Sequence, residues 1–311
     1  MPPRFDLALF TSLNEEYATK PLVPSPRKFD PASMAREAEK RTTRLDRHLD
    51  LRGKRVLEIG CGTGSVGRQL AERFDCTVVG IDIDRYPAWD DNSLDRVSYL
   101  QGDISSPPEG LGSFDAMFSF SVWEHLVHPH AALERCFELL APGGRMFLQA
   151  QLHRGPKASH RYREIFFPWP HLLFTPQVFE EYYESIGREP RRPAWVNKLT
   201  CGQYIEAIER VGFATQSRST PVTVEFDEDF YQRFHDELSA YPRWDLRHDV
   251  LTTVITRPQE SSAAAVALDR TLDGLSPEPS TVRKIWRSVP ASVRDHPLLQ
   301  RGVRMLRSRR G

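Results

Sequence analysis

Short apolar runs alternate with stretches of helical spacing through the middle of the chain. Val56-Leu57-Glu58-Ile59 reads as a buried strand that breaks at closely spaced glycines, after which Val66, Leu70 and Ala71 recur at helical intervals as far as Phe74. Residues 76–81, 97–104, 114–120 and 145–150 read as further strands. Residues 131–140 read as a helix closed by Ala141-Pro142-Gly143-Gly144, where glycine can supply a left-handed cap and proline cannot continue the helix. Strand, helix, strand implies a parallel unit with a right-handed crossover. Upstream, Met34, Ala35, Ala38, Leu45 and Leu49 give an amphipathic helix over residues 32–50. The first 30 residues, broken by Pro21, Pro24 and Pro26, read as an irregular docked arm.

Beyond residue 150 the rhythm changes. About 50 residues intervene before the next helical pattern at 201–212, where Tyr204, Ile205, Ile208 and Val211 share a face. They carry Phe166, Phe167, Trp169, Phe174, Phe179, Tyr182, Tyr183 and Trp195 among six prolines. So much aromatic surface predicts a lid packed over the carboxyl ends of the strands, with an acceptor bound beneath it. Residues 214–226 and 249–256 read as two more strands, separated by a second aromatic insertion.

Composition refines this picture modestly. With 311 residues and 40% hydrophobic content the chain can bury one substantial core and a smaller attached unit. Basic and acidic residues balance at 42 each, so overall charge gives no sign of a nucleic-acid partner. Nine of the basic residues and one of the acidic ones, Asp295, fall in residues 282–311. There they alternate with Ile285, Trp286, Leu298, Leu299 and other apolar residues, which suggests a broken amphipathic tail able to touch an anionic membrane surface. Cys61, Cys76, Cys136 and Cys201 show no paired spacing, no run reaches the ~18 apolar residues of a membrane span, and Leu7-Ala8-Leu9-Phe10 is too short for a signal peptide. A cytoplasmic protein with at most peripheral membrane contact is expected.

The candidate chemistry begins at Glu58-Ile59-Gly60-Cys61-Gly62-Thr63-Gly64. Glycines let the backbone take positive φ and approach a ligand, and the helix start beyond them favours an anionic or polar group. Gly62, Gly64 and Gly67, with Asp82 some 20 residues on, also satisfy a dinucleotide-binding fingerprint. Asp82 ends the second strand at the rim where ligands bind, and a carboxylate there can accept both hydroxyl protons of a ribose. A dehydrogenase would need hydride-transfer machinery, and no Tyr-x-x-x-Lys pair occurs.

Glu58 inside its strand, the glycine loop, the Gly102-Asp103 pair, Glu124-His125-Leu126 and Leu139-Leu140-Ala141-Pro142-Gly143-Gly144 together resemble the ordered motifs of class I S-adenosylmethionine (SAM) dependent methyltransferases. The resemblance covers residues 34–150 densely and returns at 204–258. It implies an α/β fold with a doubly wound, mostly parallel, seven-stranded Rossmann-like sheet whose last strand is antiparallel. SAM is the implied cofactor, held by Glu58, Gly60, Cys61, Gly62, Thr63, Gly64, Asp82, Ile83, Asp103, Ile104 and Ser119. In that family a carboxylate at Asp103 takes the adenine amine, the backbone N–H at Ile104 meets a ring nitrogen, and the helix over residues 32–50 covers the cofactor site.

The expected organisation is an arm and cap helix (1–50), a SAM-binding core (51–150), a lid (151–200), completion of the sheet (201–258), a linker (259–281) and the basic tail (282–311). For a hydroxyl acceptor the protein must supply position and a base, and histidine suits that task. His153, His160 and His171 are the candidates. No carboxylate or cysteine completes a metal set with them, so no metal is expected. Ser119-Phe120-Ser121-Val122 stands where amino-group methyltransferases of DNA or glutamine carry an Asn-Pro-Pro-Tyr type tetrapeptide. O-methylation of a small-molecule or glycan hydroxyl is therefore the leading expectation. The alternatives are a protein or RNA methyltransferase and a SAM-binding module without transfer.

Overall fold

The computed structural model describes residues 5–26, 30–189 and 196–259. Two helices, α1 (Leu7–Tyr17) and α2 (Pro31–Asp46), precede β1 (Arg55–Ile59). Then follow α3 (Ser65–Phe74), β2 (Thr77–Asp82), α4 (Ala88–Asn92), β3 (Val97–Gln101), β4 (Phe114–Phe120), α5 (Pro129–Leu139) and β5 (Leu140–Gln151). The first insertion holds α6 (Pro170–Leu173) and α7 (Pro176–Ser185). After α8 (Cys201–Val211) and β6 (Ala214–Ser219), the second insertion holds α9 (Glu228–Arg233), α10 (His235–Leu238) and α11 (Arg243–Arg247), and β7 (Val250–Thr256) completes the sheet.

The strands lie in the order β3-β2-β1-β4-β5-β7-β6. β1 to β5 pair in parallel, and β7 runs antiparallel between β5 and β6. The sheet is mixed, with helices on both faces, as the resemblance implied. Strand order reverses between β1 and β4, which makes their carboxyl ends the switch point where such sheets bind ligands. Apolar side chains of the strands feed two cores, one per face: Leu57, Ile59, Met117 and Met146 belong to the first, Val56, Val78, Phe118 and Phe147 to the second.

Three local expectations are corrected. The arm contains a helix: the Asp6 carboxylate accepts the Leu9 N–H at 2.9 Å, and Phe10, Leu13, Asn14 and Tyr17 turn one buried face inward. The prolines that suggested irregular chain all come after this helix. The Pro142-Gly143-Gly144 stretch does not cap α5. That helix ends in an extended Leu140 already paired with Phe114, and Gly143 donates its N–H to the Arg257 carbonyl, so sheet pairing claims the residues a left-handed cap would use. β6 stops at Ser219 instead of continuing to residue 226, because Pro221 removes a ladder donor from an exposed edge strand.

The aromatic insertions build a third apolar cluster with α1. Phe10 meets Phe167, Phe174 and Phe179 edge-on with centroids 4.9 to 5.3 Å apart, and Phe230 of the second insertion stacks on Phe167. Buried Asn14 locks this arrangement by donating to the Glu164 carbonyl and to the Tyr182 hydroxyl oxygen and accepting from the Phe166 N–H. The Tyr17 hydroxyl donates to Asp227, joining arm to second insertion. The expected linker, apart from Gln259, and the basic tail lie outside the described residues, as does Trp195. Among the described residues no helix is long and apolar enough to cross a membrane.

Candidate functional site

The glycine loop leaves β1 at the switch point. Its Gly60 and Cys61 N–H groups both point at the Ile81 carbonyl of β2, which folds the loop over the neighbouring strand end. Gly62 and Gly64 sit at φ +52° and +80°. A Cβ on Gly64 would lie 2.4 Å from the Tyr99 ring, whereas one on Gly62 would meet nothing within 4 Å. The loop is packed from behind at Gly64 and open in front at Gly62, which is the shape of a ligand cradle.

Four side chains fix that shape. Asp82, at the carboxyl end of β2, accepts the Gly62 N–H at 2.8 Å and the Asp84 N–H at 3.2 Å. On the carbonyl side, Trp89 Nε1 donates to Gly62 at 2.6 Å, Asn92 Nδ2 to Thr63 at 2.7 Å and the Tyr99 hydroxyl to Gly64 at 2.6 Å. The Trp89 and Tyr99 rings stack with centroids 5.6 Å apart. These three residues escaped sequence reasoning because their partners are backbone carbonyls, which no motif marks. Their one trace in the sequence is that the aromatics Trp89 and Tyr99 follow Asp82.

Glu58 is buried beneath the loop and accepts the Gly67 N–H at 3.0 Å. Gly64 is the N-cap of α3 and has no side chain to satisfy the orphan donors of the first turn, so the strand carboxylate does it instead. Burial pushes the Glu58 carboxyl up to about 8, against the pull of that hydrogen bond and of the Arg41 charge. Burial also raises the Cys61 thiol, which packs against Gly80, so Cys61 offers the cradle its backbone and not a thiolate.

The remaining expected cofactor residues divide. Thr63 lies in the loop, and Asp103 is exposed at the β3 rim with its carboxylate accepting the Ser105 N–H at 2.8 Å. Ile83 is exposed beside Asp82, and the Ile104 side chain is buried. The Ser119 side chain is fully buried and its hydroxyl accepts the Trp123 indole N–H at 2.6 Å, because central strand β4 is covered on both faces. Helix α2 lies against α3 and carries Arg41 over the Phe120 ring at the carboxyl end of β4.

The turn after β4 connects the cradle to a second feature. Val122 packs so closely on Gly60 that a Cβ there would come within 2.2 Å of its methyl, and two residues later Glu124 enters a narrow cavity. Gln151, His153, Ala158, His160, Asn197 and Lys198 line that cavity with it. The structure thus brings His153 and His160 together at one cavity, and burial pushes both down to about 4. His171 stands behind them, its ring against His153 and its Nε2 2.6 Å from the His153 carbonyl; burial pushes it down to about 3. All three imidazoles are therefore neutral near pH 7 and are weak bases. Among the described residues no group of three or more His, Cys, Asp or Glu is arranged to hold a metal ion.

A family model described as a methyltransferase domain matches residues 32–214. Ubiquinone biosynthesis O-methyltransferases of Nitrosococcus oceani and Dechloromonas aromatica are each 32% identical over 121 and 120 residues, 36% and 37% of this chain and 49% and 51% of theirs. The chain thus spans about half the length of the curated relatives it matches. Among solved structures, an S-adenosylmethionine dependent methyltransferase from Mesorhizobium loti aligns over 69% of this chain and 96% of its own with a TM-score of 0.46 at 20% identity. The cradle fits a bulky polar nucleoside: open space faces Gly62, and a carboxylate stands at the β2 rim. With a family model covering more than half its length, the chain belongs to the methyltransferase-domain family, and S-adenosylmethionine is its methyl donor.

Proposed function

We propose that this protein moves the methyl group of SAM to a hydroxyl of a small molecule or glycan. The observation that carries the reading is the pairing of the glycine cradle with the Glu124, His153 and His160 cavity through one turn, residues 121–125. The relatives' name as O-methyltransferases of ubiquinone biosynthesis supports the same acceptor class.

In this proposal Gly60, Cys61, Gly62, Thr63 and Gly64 hold SAM by backbone, Asp82 takes the ribose hydroxyls, and Asp103 with Ile104 takes the adenine. Glu58 acts beneath them by holding Gly67 and so the loop's exit into α3. SAM supplies a methyl carbon already activated by its sulfonium. What the chain must add is position, exclusion of water and a place for the acceptor's proton. In the same proposal the aromatic cluster of arm and insertions is the wall on the acceptor side. The basic residues of 282–311 support a further proposal, peripheral contact with an anionic membrane, which liposome flotation with and without that segment tests.

Incubation of the protein with methyl-labelled SAM and fractionated cell extract tests the acceptor class. Label recovered as an ether methyl on a small molecule or glycan is the expected result. Label on protein, RNA or an amine overturns it.

A further inference from the structure

Both carboxylate oxygens of Glu124 are buried without a hydrogen-bond partner among the described residues. His125 Nε2 lies 3.9 Å from one of them. A buried charge left this way is costly, and folds retain one where something outside the protein completes it. His153 Nδ1 on the same cavity and His171 Nδ1 behind it are likewise buried without a partner among the described residues, whereas the turn itself is held by Asn197. Asn197 donates its side-chain amide to the Trp123 and Leu126 carbonyls and accepts the Tyr204 hydroxyl, and its backbone N–H holds the Glu124 carbonyl. Asn197 thus holds the turn by its backbone carbonyls and leaves the carboxylate to the cavity. The space before that carboxylate has room for about one water or hydroxyl.

We propose that Glu124 is the catalytic base of the acceptor site, taking the proton of the acceptor hydroxyl as it is methylated. This deepens the hydroxyl-acceptor reading and rests on it. The acceptor oxygen forms its bond to the methyl carbon while the carbon–sulfur bond breaks with its electron pair left on sulfur, and the hydroxyl proton passes to a Glu124 oxygen. The proton then leaves through His125, whose side chain is about one-third exposed. Burial raises the Glu124 carboxyl, partly offset by the nearby backbone N–H of Glu124 itself, by His125 and by the Gln151 N–H, so this group is a better base than an ordinary carboxylate. The cavity histidines, pushed down to about 4, are left as neutral groups that orient the hydroxyl.

Replacing Glu124 tests this with two readouts. Thermal unfolding comes first and needs no acceptor. The groups facing Glu124 are His125 on its own turn, His153 and His160 after β5, Lys198 before α8 and Tyr204 on it. None of these side chains is hydrogen-bonded to the carboxylate, so Glu124→Gln removes a buried charge that they compensate only in part. The expected result is a Tm several degrees above wild type at pH 8, a gain that shrinks as pH falls because burial raises the native carboxyl, and SAM affinity by calorimetry within about threefold. A fall in Tm at pH 8 marks a carboxylate that supports the fold and overturns the proposal.

The second readout is transfer of label from SAM to the extract fraction that wild type methylates on oxygen. Glu124→Gln is expected to lower kcat by about 100-fold or more. A variant that keeps more than about a tenth of wild-type turnover overturns the proposal while the O-methyl reading stands. Wild-type label found on nitrogen or carbon, or none transferred, overturns the reading and this inference with it.

Discussion

Glu58 reaches from the centre of β1 to the backbone N–H of Gly67, 3.0 Å away, and so ties the cradle's strand to the helix that leaves it. The carboxyl is held at about 8 by burial, above the 4.5 it has in the unfolded chain. The folded state therefore binds this proton more tightly than the unfolded one. Its contribution to stability is fully present below about pH 4.5 and is lost as pH rises through about 8. Thermal unfolding should show Tm declining across that window, and Glu58→Gln should flatten the decline while keeping an acceptor for Gly67. Glu58→Ala should cost roughly 1–2 kcal/mol at pH 6 through the lost cap alone. An unchanged pH slope in the Gln variant would show that Glu58 is not the titrating group.

Gly62 and Gly64 should separate binding from folding. Alanine at Gly62 pays only for a left-handed backbone, about 1–2 kcal/mol, because its Cβ enters open space. That space is the cradle, so SAM affinity should fall at least tenfold. Alanine at Gly64 meets the Tyr99 ring as well and should cost more than about 2 kcal/mol. Urea unfolding and calorimetric titration with SAM give both numbers. Equal stability losses in the two variants would contradict the packing described.

Asp82 serves the loop and the proposed ribose contact at once. Wild type saturated at about 100 times Kd should gain about 2.7 kcal/mol of stability from SAM, and Asp82→Ala should lose most of it. A SAM-induced thermal shift that survives Asp82→Ala would remove Asp82 from the proposed cofactor site.

The arm is expected to be part of the acceptor wall. Asn14→Leu leaves the Phe166 N–H and the Glu164 carbonyl without their partner and should cost about 1–3 kcal/mol. Phe10→Ala, in the middle of four aromatic rings, should cost about 3–5 kcal/mol. Limited proteolysis of either variant should cut first within the insertions. Cleavage beginning instead in residues 55–120 would show that the arm does not hold the lid.

Much of the core was legible because its signals are local. An apolar run followed by glycines, or a stripe at helical spacing, is a property of five to fifteen adjacent residues. β1, α3, β4 and α8 accordingly fall within a residue or two of their sequence positions. Asp82 was legible for the same reason, since the end of a strand in a parallel unit fixes which rim a residue occupies. Even here the local signal could mislead: Pro142-Gly143-Gly144 has the composition of a cap, but Arg257, more than 100 residues on, draws it into the sheet.

By itself, then, the sequence determined the sheet, the cradle and through them the methyl donor, since each rests on spacing along the chain. Only the tertiary structure decided which polar groups are satisfied. It placed Trp89, Asn92 and Tyr99 on the loop carbonyls, set Ser119 aside for Trp123, and joined Asn14 to Glu164 across 150 residues. It also buried Glu124 at the cavity it shares with His153 and His160 and drove His153, His160 and His171 to neutrality. The physical reason is that desolvation and hydrogen-bond partnership sum over everything packed around a group, and no stretch of neighbouring residues encodes that sum.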